Sequence, residues 1–254
     1  MPARSASCPW RVAVTREEPA DGPLSTALDA LGLIPVACPV LVEGPPADPS
    51  ALQDAALTLE QYDWVVVASA RSVRAISRAR GRPWPPQIRT AAVGGATAAA
   101  LVDAGVTRPT LVAPAEGAEA LLTLLEDVDW VGRRVLVPTT TGGRRLLAQH
   151  LRAAWSIVVE VEAYAMRPRA PRDIDAHWQA ASPDAAVVAS PRVAELLASA
   201  VGLESLRALR LVVALGATTA GALEALGVAA VTPPHADFRD AARLVAERRD
   251  QRRP

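Results

Sequence analysis

The sequence repeats itself once, at a spacing near 122 residues, and that repeat restricts the folds open to it. Leu211–Val231 reads LVVALGATTAGALEALGVAAV: an apolar run, a Gly-Ala-Thr-Thr turn, then an Ala/Leu-rich segment with helical spacing. Ala91–Val106, AAVGGATAAALVDAGV, has the same plan, and its Thr97 stands 122 residues before Thr219. Trp64–Ile76 (WVVVASARSVRAI) matches Ala186–Leu197 (AVVASPRVAELL), with Ser69 and Ser190 ending equivalent runs 121 residues apart. Val12 and Val135 open a third pair at 123. Three pairs in one order predict an internal duplication of a whole α/β unit, too long for a solenoid repeat. Apolar runs alternate with helical segments, which calls for parallel sheets covered by helices.

The turns carry the chemical interest. Val212, Val213 and Leu215 read as a buried parallel strand, Gly216 as a tight exit, and Thr218 or Thr219 as a helix N-cap, with Gly227 closing the helix. Gly94, Gly95 and Thr97 repeat the device. A helix start of this kind offers backbone N–H groups and a positive dipole end to an anion. The plain alternative is a capped helix and nothing more. Gly94-Gly95-Ala96-Thr97 does not meet the G-x-G-x-x-G pattern of a dinucleotide-binding turn.

Composition removes several classes. With 27 basic and 27 acidic residues the chain is neutral, and every basic residue is Arg. No basic block suggests a nucleic-acid face. Cys8 and Cys38 make no metal-ligand cluster and fit a reducing, cytoplasmic setting. His150, His177 and His235 look isolated, so no metal is expected. The start, MPARSASCPW, has no signal-peptide apolar core. Residues 211–231 are broken by Gly216, Gly221, Glu224 and Gly227, so no membrane span is expected.

In chain order, residues 1–10 read as a disordered lead-in. Strands are expected at Val12–Thr15, Trp64–Ala68, Thr90–Val93, Leu111–Val112, Val135–Val137 and Val187–Ala189. Helices are expected at Pro23–Leu31, Ala51–Leu59, Val73–Arg80, after Thr97 to Ala104, at Ala118–Glu126, Leu146–Ala154, after Ser190 to Ala200, and at Ala241–Arg249. Gly81–Pro86, GRPWPP, reads as a Pro-rich surface loop, and Thr139–Gly143 as a loop. Ile34–Val42 and Ile157–Ala165 read as extended crossovers, and Met166–Arg172 as a linker. The tail QRRP should fray.

Seven motifs in this order resemble the uroporphyrinogen-III synthase family: VAVTRE (Val12–Glu17), DWVVVAS (Asp63–Ser69), AVGGATAAAL (Ala92–Leu101), RRVLVP (Arg133–Pro138), VEVEAYAMRP (Val159–Pro168), AVVASP (Ala186–Pro191) and ALGATTAGAL (Ala214–Leu223). The resemblance covers about residues 11–248. It implies two three-layer α/β domains joined by two extended segments, one domain being discontinuous: residues 1–37 with 169–254, an inserted domain 42–164, and linkers 38–41 and 165–168. The chain departs from the family at Ala217, where Pro is common, at Thr139 and Thr140, where Arg-Gly is common, and at Trp155, where Gly is usual.

The resemblance also implies a reaction. Hydroxymethylbilane, a linear tetrapyrrole with acetate and propionate carboxylates on every ring, is cyclised to uroporphyrinogen III with inversion of ring D and loss of water, without a cofactor. A monomer with a closing cleft, no nucleic acid and no membrane is implied. Parallel sheets bind ligands beyond the carboxyl ends of their strands. Thr15, Ser69, Thr97, Thr139, Ser190 and Thr219 fall at or just beyond such ends, and Arg16, Gly95 and Thr218 adjoin them. These nine are the expected substrate-binding residues. Tyr164, in the place of the family's tyrosine, is the expected proton donor. The alternative is a non-catalytic tetrapyrrole- or anion-binding regulatory module on the same fold.

Overall fold

The structure is a computed structural model that describes residues 9–114, 118–141 and 145–251. The chain opens with β1 (Arg11–Val14), α1 (Pro23–Asp29) and β2 (Ile34–Ala37). There follow β3 (Leu41–Gly44), α2 (Pro49–Leu57), a 3₁₀ turn (Leu59–Gln61), β4 (Trp64–Val67), α3 (Ala70–Arg80), β5 (Arg89–Val93), α4 (Gly94–Asp103), β6 (Leu111–Ala113) and α5 (Ala118–Leu125). Then come β7 (Arg134–Thr140), α6 (Leu146–Ala153), β8 (Ile157–Pro168), α7 (Pro171–Ala181), β9 (Ala185–Val188), α8 (Pro191–Val201), α9 (Leu203–Arg207), β10 (Leu211–Ala214), α10 (Ala217–Ala225) and α11 (Phe238–Gln251). None of the described helices is long and apolar enough to cross a membrane.

Two compact units result: Met1–Val42 with Arg167–Pro254, and Glu43–Met166. The boundaries fall inside β3 and β8, which are neighbouring strands of one sheet.

The first unit holds a four-stranded sheet in the order β10-β9-β1-β2, with the β1–β2, β1–β9 and β9–β10 pairs all parallel. Alternation of side chains sends Val12 and Val14 to one face and Ala13 to the other. Val12, Val14, Ala185, Val187 and Val213 pack with α1 and α11 through Leu24, Leu28, Ala242 and Val245. On the opposite face Ala13, Ala186, Val188, Val212 and Ala214 meet Trp178, Leu197, Leu206 and Leu223. Small residues on the strands let helices approach closely, which explains how a chain with 4% aromatic residues fills its cores. Pro35 in β2 is tolerated because β2 is the sheet's edge.

The second unit holds a six-stranded sheet, β3-β8-β7-β4-β5-β6. Val65, Val67, Ala92 and Leu136 face α2, α3 and α4. Trp64, Val66, Ala91, Val93, Val135 and Val137 face α5 and α6. The β4–β5, β4–β7, β5–β6 and β7–β8 pairs are parallel, so the carboxyl ends of these strands share one edge.

Several expectations need correction. Trp10 is buried against the first unit's core, and its carbonyl accepts a hydrogen bond from Ile34 N at 2.9 Å, so the lead-in is ordered by its tenth residue; residues 1–8 lie outside the described ones. Trp84 in the Pro-rich loop is 1% exposed, and its indole N–H donates to Ser77 Oγ at 3.0 Å. That loop is a plug for the core. Pro171 is the first residue of a helix, where its missing N–H costs nothing. The segment read as a linker therefore contains the end of β8 and the start of α7. β7 runs on through Thr139 and Thr140, in place of the expected loop. Gly142 and Gly143 of that loop, and Arg252–Pro254 of the fraying tail, lie outside the described residues.

Candidate active site

The strand ends of each unit gather the residues that the sequence singled out. In the second unit, β4 delivers Ser69, the N-cap of α3, whose hydroxyl accepts from Ser72 N at 3.2 Å. β8 delivers Tyr164, 8% exposed, and its phenol oxygen lies 3.4 Å from Ser69 Oγ. Ser72 Oγ lies 3.1 Å from Ser69 Oγ, making a three-hydroxyl relay. The pairing of β7 with β8 slips between Thr139 and Thr140, which sets Tyr164 opposite Thr140. Thr141 N donates to Tyr164 O at 3.1 Å, fixing the tyrosine's backbone. Thr139 Oγ1 is 3.4 Å from Val161 O and reinforces β8. The buried Thr140 hydroxyl finds no hydrogen-bond partner among the described residues. The sequence reasoning gave Thr140 no role; one more threonine in a run of three carries no signal by itself.

β5 ends at Val93, and α4 starts at once on Gly94, whose φ of +74° favours glycine. Gly95 is exposed, and a Cβ added to it would meet nothing within 4 Å. Thr97 is 4% exposed, inside the helix rather than in a turn before it.

In the first unit, Ser190 caps α8 as Ser69 caps α3, accepting from Val193 N at 3.3 Å. The cap of α10 is Gly216, where Thr218 or Thr219 was expected. Its φ of −153° is ordinary extended backbone, and no atom stands within 4 Å of an added Cβ. The exit from β10 is tight, as the sequence predicts, since only Leu215 and Gly216 separate it from α10, and Gly216 leaves open space beside its Cα. Thr218 is exposed beside it; Thr219 is 2% exposed and turns inward. At these helix starts Gly95 and Thr218 are exposed, while Thr97 and Thr219 pack beneath.

Thr15 is fully buried, and its hydroxyl donates to Val187 O at 2.7 Å. It clamps β1 to β9, so its hydroxyl proton is not available to a ligand. Arg16, next in sequence, is 31% exposed in its side chain. Its guanidinium lies 4.4 Å from the centre of the Phe238 ring, and Nε is 3.5 Å from Glu18 Oε2. Glu18 Oε1 accepts from Ser25 N at 2.7 Å and Ser25 Oγ at 2.8 Å, in the first turn of α1. Phe238 escaped the sequence reading because it comes from the far end of the chain.

His235 is not isolated. His235, Asp237 and Asp240 offer ligand atoms within 4.8 Å of one another. Each already has a partner: His235 Nδ1 with Asp240 Oδ2 at 2.7 Å, Arg243 Nη1 with Asp240 Oδ1 at 3.0 Å, and Asp240 N with Asp237 Oδ1 at 2.8 Å. The His235 hydrogen bond holds the Asp240 carboxyl below its ordinary value. The trio opens α11, where the helix dipole opposes a cation. A cavity of about 440 Å³, lined in part by Arg207, Arg210, Val228 and Arg248, lies at the amino end of β10 and includes none of these residues.

The chain has recognisable relatives. The family model described as uroporphyrinogen-III synthase HemD matches residues 22–242. A protein of Synechococcus elongatus named uroporphyrinogen-III synthase is 31% identical over 160 residues, 61% of this chain and 60% of that protein. One of the same name from Salmonella typhimurium is 32% identical over 157 residues, 60% of this chain and 63% of that protein. The match thus spans a little over half the length of these relatives. A solved structure of a mutant uroporphyrinogen III synthase from Thermus thermophilus superposes with a TM-score of 0.54 at 20% identity, covering 96% of this chain and 100% of that one. The uroporphyrinogen-III synthetase of Helicobacter pylori 26695 gives 0.60 at 14%, covering 94% and 99%. These two likenesses establish the shared α/β architecture.

Proposed function

We infer the reaction from a premise now in hand: the chain belongs to the uroporphyrinogen-III synthase family. The proposed activity is the cyclisation of hydroxymethylbilane to uroporphyrinogen III, with inversion of ring D and loss of water, in tetrapyrrole biosynthesis. The relatives' names favour this enzyme over a non-catalytic module on the same fold.

The observation that carries the reading is the Tyr164–Ser69 pair at 3.4 Å, where β4 runs into the start of α3 in the second unit. A phenol has a reference pKa of about 10, so it stays protonated near neutrality and can donate to a departing oxygen. In the proposed first step the C–O bond of the hydroxymethyl group breaks as Tyr164 passes its phenolic proton to the leaving oxygen, which departs as water, and the pyrrole N–H proton returns to the phenolate. The pyrrole nitrogen's electron pair drives the departure and an azafulvene forms. Ring D attacks that carbon through its substituted position, giving a spiro intermediate that fragments and recloses with ring D reversed. Spontaneous closure gives the unrotated isomer, so the protein must hold the chain's shape.

Ser69, Gly95, Thr139, Ser190, Thr218 and Arg16 are proposed to hold substrate carboxylates by hydroxyl, amide or guanidinium. Thr97 and Thr219 are proposed to contribute by packing beneath the helix starts, since their side chains are buried and Thr219 N already donates to Gly216 O at 3.0 Å. Thr15 contributes by holding β1 in place. Charge-assisted bonds of this type are about twice as strong as neutral ones. The chain is further proposed to act as a monomer in the cytoplasm, without nucleic acid.

Incubation with freshly made hydroxymethylbilane, with the I and III isomers resolved, tests the reading. Type III product formed faster than the spontaneous type I supports it; type I alone at the uncatalysed rate overturns it.

A further inference from the structure

We propose that Phe238 is a positioning residue that fixes the Arg16 guanidinium at the strand-end edge of the first unit, ready for a substrate carboxylate. The proposal rests on the substrate inferred above and deepens it.

An arginine on a loop is a long, rotamer-rich side chain, and ordering it costs side-chain entropy. Arg16 follows β1 directly, so its backbone is set by the sheet, but that alone does not fix its side chain. Phe238 and Glu18 both restrain it. The Phe238 ring lies 4.4 Å from the guanidinium carbon, inside the range where an aromatic face attracts a cation. The Glu18 carboxylate lies 3.5 Å from Nε.

Both restraints are themselves anchored. Glu18 is 3% exposed in its side chain and is held by the Ser25 amide and hydroxyl. A methyl at Gly22 would come within 2.8 Å of the Glu18 side chain, so glycine there makes room for the carboxylate. Phe238 opens α11 and packs on the core that contains Val12, Val14 and Leu24. The chain reaches it from Val231, whose backbone bonds β10: Val231 N donates to Val212 O at 3.0 Å and Ala214 N to Val231 O at 2.9 Å. This short parallel extension carries the following residues toward the carboxyl ends of the strands, where Arg16 stands.

Phe238 is the sole phenylalanine of the chain. A leucine or methionine would fill the same half-buried position on the core. What only an aromatic ring adds is a face for a cation. A guanidinium held over that face is fixed in orientation, and its planar fork of donors suits a carboxylate.

The test is steady-state kinetics on hydroxymethylbilane, together with fluorescence titration with uroporphyrin III as a carboxylate-rich ligand that needs no turnover. Phe238→Leu should raise KM, and the Kd for uroporphyrin, by about two- to fivefold, the size of one partly exposed cation–π contact, with kcat unchanged within about twofold. Phe238→Trp should restore both constants. In an Arg16→Ala background Phe238→Leu should add nothing. Phe238→Met, closer in length, serves if the leucine variant does not fold. Unchanged KM and Kd in the leucine or methionine variant overturn the proposal. So does a shift that persists without Arg16, or one that tryptophan fails to rescue. Wild-type protein that binds uroporphyrin but makes no type III product overturns the enzymatic reading alone, and the binding series still decides the role of Phe238.

Discussion

Replacing Gly95 with alanine should make this protein more stable and a poorer enzyme. Gly95 is the second residue of α4, its φ is not in the left-handed region, and an added Cβ would meet nothing within 4 Å. The methyl therefore meets no clash in the folded chain, while it narrows the unfolded ensemble. Gly→Ala at such a position stabilises by about 0.4–1 kcal/mol, and for a chain of this size about 1 kcal/mol moves Tm by roughly 2–4 °C. A rise of about 1–4 °C follows. Function should move the other way. If a substrate carboxylate sits on the first amides of α4, a methyl at Gly95 intrudes where the ligand must come close. Loss of one charge-assisted hydrogen bond, about 1.5–3 kcal/mol, lowers kcat/KM by about ten- to a hundredfold. Gly221→Ala is the control: it is also exposed and open, lies mid-helix in α10, and has no proposed contact with substrate. It should gain stability with activity unchanged. Thermal melts and isomer-resolved kinetics on the two variants measure both effects. A stabilised Gly95→Ala protein with wild-type kcat/KM would refute the idea that ligand approaches this backbone. A drop in Tm would refute the reading of the site as open space.

Three more outcomes are expected. Tyr164→Phe should keep the fold and lose about 10²-fold in kcat with no change of product isomer, read by chromatography of the porphyrins after oxidation; undiminished turnover removes the phenol from the mechanism. Thr15→Val should leave Val187 O without its donor and cost about 1–3 kcal/mol in urea unfolding, with kinetic constants of the folded fraction near wild type; a variant as stable as wild type would dismiss the clamp between β1 and β9. The Glu60 carboxyl is drawn from 4.5 to about 2, first by its hydrogen bond from the buried Arg80. Its folded-state value is depressed, so its contribution is present above pH 4.5 and fades as pH falls toward about 2. Glu60→Gln should accordingly be less stable than wild type at about pH 7, with the two unfolding curves converging near pH 2; a constant gap across that window would remove Glu60 as the source.

The parallel strands were legible because stretches such as Trp64–Val67 and Val212–Ala214 are apolar at every position, as strands buried on both faces must be. The serine caps were legible too, since Ser69 and Ser190 each follow such a run and precede helical spacing. Proline misled in two places. In Pro83–Pro86 it marked an irregular backbone correctly, but irregular backbone can still bury its one large side chain, Trp84. At Pro171 the same residue type that ends a strand begins a helix, and composition does not separate the two. At α10 the threonines looked like caps because their hydroxyls can cap, yet the helix starts immediately after Gly216 and turns Thr219 inward. The contact of Arg16 with Phe238 joins opposite ends of the chain and has no local signature at all.

The placement of β1 in its sheet has a consequence for synthesis. β1 pairs with β2 on one side and with β9 on the other, and β9 begins only at Ala185. On a ribosome, the amino-terminal piece β1–α1–β2 emerges with one long edge unpaired, and waits while the whole contiguous stretch from Glu43 to Met166 is made. That stretch contains all of its own core and can close first. The first unit can complete only when β9, β10 and α11 arrive, because α1 lacks the packing partner of Leu24 and Leu28 until Val245 is available. Chains stalled before α11 should therefore hold a folded middle and a sticky, unsealed amino terminus, the form that chaperones and proteases would meet.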